Sequence, residues 1–139
     1  RALLGEGFDF SFSGLKTSVV YYLRDHPEIR DSKKKVADVC ASFQAAVVDV
    51  LVKKTVAAAD TLGLRHIAVC GGVAANSALR EGFAVHGKKH KIHMASPLLC
   101  TDNGVMIAVA GYYKHLRGGR VSEPEPLSVD STLAIESWG

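Results

Sequence analysis

The chain of 139 residues has the length of one ordinary domain, and its content of 47% hydrophobic and 22% charged residues is typical of a globular protein. Its 17 Lys and Arg residues exceed its 14 Asp and Glu residues too slightly to indicate nucleic-acid binding by themselves. Three cysteines, an odd number spread far apart at Cys40, Cys70 and Cys100, indicate reduced thiols in a cytoplasmic protein. No apolar stretch is long enough to span a membrane and no signal peptide opens the sequence, so we expect no membrane partner.

The first half of the chain predicts a short strand followed by two helices. Residues 8 to 12, FDFSF, alternate apolar and polar side chains as the end of a strand does, and Ser13 can cap the helix that follows. Pro27 ends that helix. Apolar residues at helical spacing from about Lys33 to Leu62 predict one long helix, which Gly63 ends.

The second half predicts strands that alternate with helices. The apolar runs HIAVC at 66 to 70 and KIHMA at 91 to 95 predict two buried strands, and helices are predicted over 76 to 86 and 103 to 117. Residues 121 to 139, which contain two prolines, predict an extended tail after a segment of residues 1 to 120.

The alternation of strands and helices indicates an α/β fold with a mostly parallel sheet. The two predicted buried strands do not complete such a sheet, because parallel strands are normally buried on both faces and flanked at both edges. The chain also does not begin with Met. We therefore expect it to be part of a longer protein, and we expect its exposed sheet edge to favour self-association.

The segment CGGVAAN, at 70 to 76, follows the first buried strand and precedes a helix. Ligands bind at this position in α/β units, and Gly71 and Gly72 would let a ligand approach the backbone with no Cβ in the way. Asn76 could contact that ligand or simply cap the helix. A tight turn with a capping asparagine is an equally good interpretation of the pattern, so both remain open.

The segment SPLLCTDN, at 96 to 103, repeats this arrangement after the second strand. Asp102 falls where the loop meets a helix, so its carboxylate could cap that helix or ligate a metal ion. Because both loops leave parallel strands at the same edge of one sheet, we expect them to converge on one crevice.

Three segments, DFSFSGLKT at 9 to 17, GGVAANSALR at 71 to 80 and CTDNGVMIA at 100 to 108, together resemble the C-terminal part of the TsaD/Gcp family. These are the tRNA threonylcarbamoyladenosine transferases, once called O-sialoglycoprotein endopeptidases. The resemblance covers about residues 8 to 120. It implies a lobe of the actin/Hsp70/sugar-kinase (ribonuclease-H-like) fold, and the transfer of threonylcarbamoyl from threonylcarbamoyl-AMP to the adenosine beside the anticodon of tRNA.

Carried over residue by residue, the resemblance assigns Asn76 to contact with the adenylate ligand and Gly71 and Gly72 to the close-approach backbone. It assigns Asp102 to a divalent metal ion, for which iron, zinc and magnesium all remain candidates. Lys16 could meet a phosphate or the tRNA backbone, although a surface lysine is the commoner reading. The implied partners are tRNA and, in bacteria, a smaller paralogue, an ATPase and the synthase that makes threonylcarbamoyl-AMP.

The family's pair of metal-binding histidines and its phosphate-binding glycine loop belong to upstream sequence that this chain lacks. We therefore expect the chain to be inactive alone, as one part of the complete enzyme. His86 and His90 have helical metal-ligand spacing, but Gly87 interrupts the helix between them and no glutamate base accompanies them. Two alternatives remain open: a noncatalytic dimerisation module like the paralogue, and a freestanding nucleotide-binding domain.

Overall fold

The computed structural model describes residues 7–118, which form four α-helices and two β-strands. They are α1 (Ser13–Asp25), α2 (Lys33–Thr61), β1 (His66–Val69), α3 (Ser77–His86), β2 (Lys91–Met94) and α4 (Gly104–Leu116). Residues up to Asp102 form one compact unit, and α4 belongs to a second unit that begins at Asn103. The tail predicted over 121 to 139 lies outside the described residues. Among the helices of residues 7–118, none combines the length and the apolar run that a membrane crossing needs.

The two strands pair in parallel, which confirms the predicted α/β arrangement on a small scale. His66 lies opposite Lys91 and Val69 opposite Met94, with α3 as the crossover between the strands. Within the described residues the sheet has these two strands. The expectation that further strands complete it remains a prediction.

The prediction of a strand over residues 8 to 12 is wrong, because this segment is not part of the sheet. An isolated alternating segment has no ladder to join, and its backbone instead accepts a hydrogen bond from a side chain. The Nζ atom of Lys54, a buried lysine of α2, donates to the carbonyl oxygen of Asp9 at 2.8 Å. The contact fixes the segment beside α2.

The prediction that Ser13 caps α1 is also wrong. Ser13 is the first residue inside the helix, and Phe12 takes the cap position without a side-chain hydrogen bond. The hydroxyl of Thr17 donates to the carbonyl oxygen of Ser13, one turn earlier. The backbone of Phe12 begins α1, because its carbonyl oxygen accepts the N–H of Lys16 at 3.0 Å, and no polar side chain caps the helix.

The long helix α2 confirms the pattern of apolar residues and its predicted end. The side chain of Ser32 accepts a hydrogen bond from the backbone N–H of Lys35 at 3.4 Å, which satisfies one of the free donors of the first turn. At the other end, Gly63 has a φ of +65°, a conformation that glycine adopts without strain. With 29 residues the helix is about 43 Å long.

The core lies where α2 and α3 pack on one face of the sheet. Its buried members are Val52, Ala59, Ile67, Leu79 and Phe83. Each large apolar side chain buried in this way contributes roughly 1.5–3 kcal/mol to the free energy of folding. The opposite face of the sheet, which carries His66, Ala68, Lys91 and His93, is exposed in the described part of the chain. The core therefore positions the ends of both strands by packing against one face of the sheet.

Candidate functional site

The turn after β1 has the backbone that the glycine pair predicts. Gly71 has a φ of +83°, which an L-residue adopts only with strain, and Gly72 begins a short 3₁₀ helix over Gly72–Ala75. A Cβ atom built on either glycine would meet no atom of the described chain within 4 Å. Gly71 is therefore required by the backbone, whereas at Gly72 the space in front of the turn is open.

Asn76 sits at the mouth of this turn and caps α3. Its Oδ1 atom accepts a hydrogen bond from the backbone N–H of Leu79 at 3.0 Å. Its Nδ2 atom donates to Oε1 of Gln44, an exposed side chain of α2, at 3.1 Å. The acceptor of Asn76 thus has a structural role, while its donor faces a surface partner that a ligand could replace.

The loop after β2 ends in an exposed carboxylate. A short 3₁₀ helix over Pro97–Leu99 leads to the buried Cys100, and Asp102 is exposed two residues later. The alternative role of Asp102 as a helix cap is wrong, because Asn103 caps α4 by accepting the backbone N–H of Met106 at 3.0 Å. The Asp102 carboxylate therefore does not cap the start of α4.

Arg80, on α3, joins the two loops. Its Nε atom donates to the carbonyl oxygen of Ala74, in the turn after β1, at 2.7 Å. Its Nη2 atom donates to the carbonyl oxygen of Ala95 and lies 3.4 Å from Sγ of Cys100, both in the loop after β2. One guanidinium group thus holds together the two segments that the sequence predicts to converge.

Two of the predicted binding residues line the same open groove of about 830 Å³ between α1, α2 and the start of α3. Lys16 lies on one side and Asn76 on the other, and the surface between them is mainly apolar, with Val39, Phe43 and Val47 of α2 among its residues. Gly71, Gly72 and Asp102 do not line it. The predicted residues therefore fall into two groups, one at the groove and one along the loops.

The comparison with known proteins decides the family. The family model "tRNA N6-adenosine threonylcarbamoyltransferase" (TsaD) matches residues 1–109. The chain belongs to this family.

Relatives of that name support the assignment along the chain. The protein of Desulfotalea psychrophila is 52% identical over 118 residues, which are 82% of this chain and 34% of the relative. That of Geotalea uraniireducens is 52% identical over 110 residues, 78% of this chain and 32% of the relative. That of Thermotoga neapolitana is 46% identical over 138 residues, 97% of this chain and 40% of the relative. The chain thus spans between about a third and two fifths of the length of these TsaD relatives.

The histidines do not form the metal site that their spacing suggests. Among residues 7–118, no three His, Cys, Asp or Glu side chains are close enough together to hold a metal ion. The buried ring of His90 has its Nδ1 atom 2.9 Å from the carbonyl oxygen of Leu64, and its Nε2 atom lies 3.3 Å from Asp60 without an aligned hydrogen bond. His90 therefore ties the end of α2 to the approach to β2.

His66 and His93 form a second pair, on the exposed face of the sheet. The Nδ1 atom of His66 lies 2.9 Å from the Nε2 atom of His93, and the two rings are nearly parallel. One ring donates and the other accepts, so the ring nitrogens that face each other are occupied by one hydrogen bond. The pair contributes to the strand pairing rather than to a ligand sphere.

Arg80 and Lys54 are the structural residues of this TsaD segment that sequence reasoning missed. A signal for Arg80 was present, because a cation close to the start of a helix is unfavourable next to the positive end of the helix dipole. An arginine at that place needs acceptors from other segments, and the structure supplies three. For Lys54 the sequence gives no such signal, because it directly follows Lys53 in a pair of lysines that is typical of an exposed helix face.

Proposed function

We propose that this chain forms one wall of the active site of an enzyme that transfers threonylcarbamoyl from threonylcarbamoyl-AMP to the adenosine beside the anticodon of tRNA. The name of its TsaD relatives, tRNA N6-adenosine threonylcarbamoyltransferase, supports the transfer to a tRNA adenosine. The observation that carries the proposal is the open turn at Gly71 and Gly72, at the carboxyl end of a parallel strand, with no Cβ atom and no neighbouring atom in front of it.

In this proposal the adenylate lies against the Gly71–Gly72 backbone and takes a hydrogen bond from the Nδ2 atom of Asn76. The present contact of that atom with the exposed Gln44 is one that a ligand can replace at little cost, because both partners can return to water. Lys16, across the groove, is positioned to neutralise a phosphate of the ligand or of tRNA.

Asp102 is proposed as one metal ligand, with the remaining ligands outside the described residues. Its exposed carboxylate fits a hard divalent cation as a single oxygen donor, but residues 7–118 do not form a complete metal site. When bound, the metal would polarise a phosphate or carbamoyl oxygen as a Lewis acid. Substituting Asp102→Asn in the full-length protein should weaken the binding of Zn²⁺ or Mn²⁺ in a calorimetric titration.

The chain is proposed to be inactive without the rest of the enzyme. The sequence resemblance implies a two-lobed actin-like fold, of which the small parallel sheet would be a part. A cytoplasmic enzyme of this kind would work in bacteria with the smaller paralogue, the ATPase and the threonylcarbamoyl-AMP synthase. Self-association through a sheet edge is the alternative way to cover the strands.

The direct test measures transfer of labelled threonine to unmodified tRNA with ATP, bicarbonate and the three partner proteins. The chain is assayed alone and then together with a separately expressed upstream half. Activity only with the upstream half is the expected result. Activity of the chain alone would contradict the shared active site, and no activity in the full-length protein would contradict the function.

Asn76 allows the ligand contact to be separated from the helix cap. Asn76→Asp keeps the oxygen that accepts the N–H of Leu79 but removes the N–H donor, so we expect stability within about 0.5 kcal/mol of wild type and weaker binding of AMP to the full-length protein. Asn76→Ala should weaken AMP binding and should also lower the free energy of unfolding by about 1 kcal/mol, because it removes the capping oxygen. Ser32→Ala, which removes the cap of α2 away from the groove, is the matched control and should leave AMP affinity unchanged. An unchanged AMP affinity of Asn76→Asp would exclude the amide as a ligand contact.

A further inference from the structure

Arg80 contacts both loops leaving the sheet. Three acceptors surround its guanidinium group: the carbonyl oxygens of Ala74 and Ala95 and the Sγ atom of Cys100. Ala74 belongs to the 3₁₀ helix that follows the glycine pair, and Cys100 lies two residues before Asp102. Each loop is therefore held within a few residues of a proposed ligand contact.

These contacts hold the charged guanidinium group of Arg80 in a fixed position. Ala74 is fully buried and Cys100 is 5% exposed, whereas Ala95 is exposed, so two of the three contacts of Arg80 lie in the interior. Hydrogen bonds from a charged donor are roughly twice as strong as those between neutral groups. Cys100 is held in turn, because its thiol lies 3.3 Å from the carbonyl oxygen of Ser96. Neither loop can shift without disturbing a bond to the other through Arg80.

The planar guanidinium makes this connection specific to arginine. Its N–H donors point in fixed directions, and here Nε serves one loop while Nη2 serves the other. A lysine at the same position would keep the charge, but its single nitrogen atom would not reach both sets of acceptors in this geometry. The two loops would then keep the direct packing of Gly72–Ala75 against Pro97–Leu99 but lose the hydrogen bonds that join them through one group.

We propose that Arg80 is a positioning residue that couples the adenylate-binding turn at Gly71–Gly72 to the loop that carries Asp102. This inference rests on the proposed function, because it assumes that the adenylate binds at the glycine turn. When the ligand reduces the motion of the turn, the hydrogen bonds of Arg80 also reduce the motion of residues 96 to 102. The enzyme therefore holds its Asp102 carboxylate in place most firmly when the adenylate is bound.

Hydrogen exchange measured by mass spectrometry tests the coupling in the full-length protein, with AMP as the probe. Peptides covering residues 71 to 76 report the turn, and peptides covering 96 to 102 report the second loop. In the wild type, saturating AMP should slow exchange in both segments. Couplings between two sites commonly amount to about 5- to 150-fold, so we expect at least about fivefold slowing in the second loop.

Arg80→Lys is the decisive variant, and Arg24→Lys is its matched control. In Arg80→Lys, AMP should still slow exchange at 71 to 76 but should no longer slow it at 96 to 102. Arg24 lies on α1, where its contacts are with Asp25 and Tyr21, so its replacement should leave the coupling as in the wild type. A residue that merely stabilised the fold would raise exchange with and without AMP alike and leave the AMP-dependent difference intact.

The possible results separate this inference from the function on which it rests. If AMP does not slow exchange at 71 to 76 in the wild type, the adenylate site itself is refuted. If AMP slows both segments in Arg80→Lys as in the wild type, or slows only the turn in the wild type, the role of Arg80 is refuted. Arg80→Gln serves as a second variant. If neither variant folds while Arg24→Lys does, Arg80 is a folding residue and the inference is wrong.

Discussion

Replacement of Gly72 by alanine separates ligand approach from backbone strain. A Cβ atom at Gly72 would meet no atom of the described chain within 4 Å, and Gly72 is not among the glycines with a positive φ. Alanine is therefore compatible with the native backbone. Because alanine restricts the unfolded chain more than glycine does, we expect Gly72→Ala to stabilise the protein by about 0.4–1 kcal/mol.

The effect of Gly72→Ala on ligand binding should have the opposite sign. If the adenylate packs on the backbone of this turn, the added methyl group occupies space that the ligand needs. Overpacking of this kind typically costs about 1–3 kcal/mol. That range corresponds to a loss of about 5- to 150-fold in AMP affinity. The variant should thus be as stable as the wild type or more so, and yet bind AMP poorly.

The assay combines urea unfolding with calorimetric titration of AMP, both on the full-length protein. Gly71→Ala provides the contrast, because Gly71 has a φ of +83° and a ψ of 173°, a conformation nearly exclusive to glycine, so alanine is strained there by roughly 1–3 kcal/mol whatever the ligand does. Stability should therefore fall in Gly71→Ala and hold in Gly72→Ala, while AMP affinity falls in both. An unchanged AMP affinity in Gly72→Ala would refute the close approach of the ligand to this turn.

Two further predictions concern the packing that positions the loops. Phe83→Ala should lower the free energy of unfolding by about 3–5 kcal/mol, because Phe83 is 2% exposed in the core, and a shift of the urea midpoint would measure it, with Phe83→Leu expected to lose less. Gly87→Ala should cost about 1–3 kcal/mol, because its Cβ would lie 2.6 Å from the carbonyl oxygen of Phe83 and 2.9 Å from Cδ1 of Ile92. Gly14→Ala, in open space on α1, is the control for Gly87 and should not destabilise, so equal midpoints for the two variants would contradict the steric argument.

Local sequence patterns predicted the elements that residues close together in the sequence stabilise. The apolar spacing of α2, its glycine stop at Gly63 and the two short apolar runs of the strands correspond closely to the observed bounds. Asn76 and Asn103 begin their helices because an amide oxygen satisfies a free N–H three residues later, which needs no partner from elsewhere. The family could be inferred from three motifs for a related reason, since their residue types and order are properties of the sequence alone.

The strand expected at residues 8 to 12 failed for the opposite reason. Alternation describes a segment that can join a sheet, but joining depends on a neighbour with free backbone groups, and here Lys54 binds the backbone of Asp9 instead. In the same way, the sequence does not distinguish Asp102 from Asn103 as the cap of α4, because both residue types accept the same backbone N–H hydrogen bond.

The sequence by itself determined the family, the α/β alternation and the glycine pair, because each follows from residue types at short spacing. Only the tertiary structure decided that Lys16 and Asn76 line one groove and that Arg80 joins the two loops. The contacts of Arg80 join residues 6 positions apart, with Ala74, and 20 positions apart, with Cys100, while Lys16 and Asn76 are 60 positions apart. They depend on the parallel pairing of β1 with β2 and on the packing of α3 against α2, which bring the loop ends to one edge. Directional hydrogen bonds then select the partners, and no pattern of neighbouring residues encodes that selection.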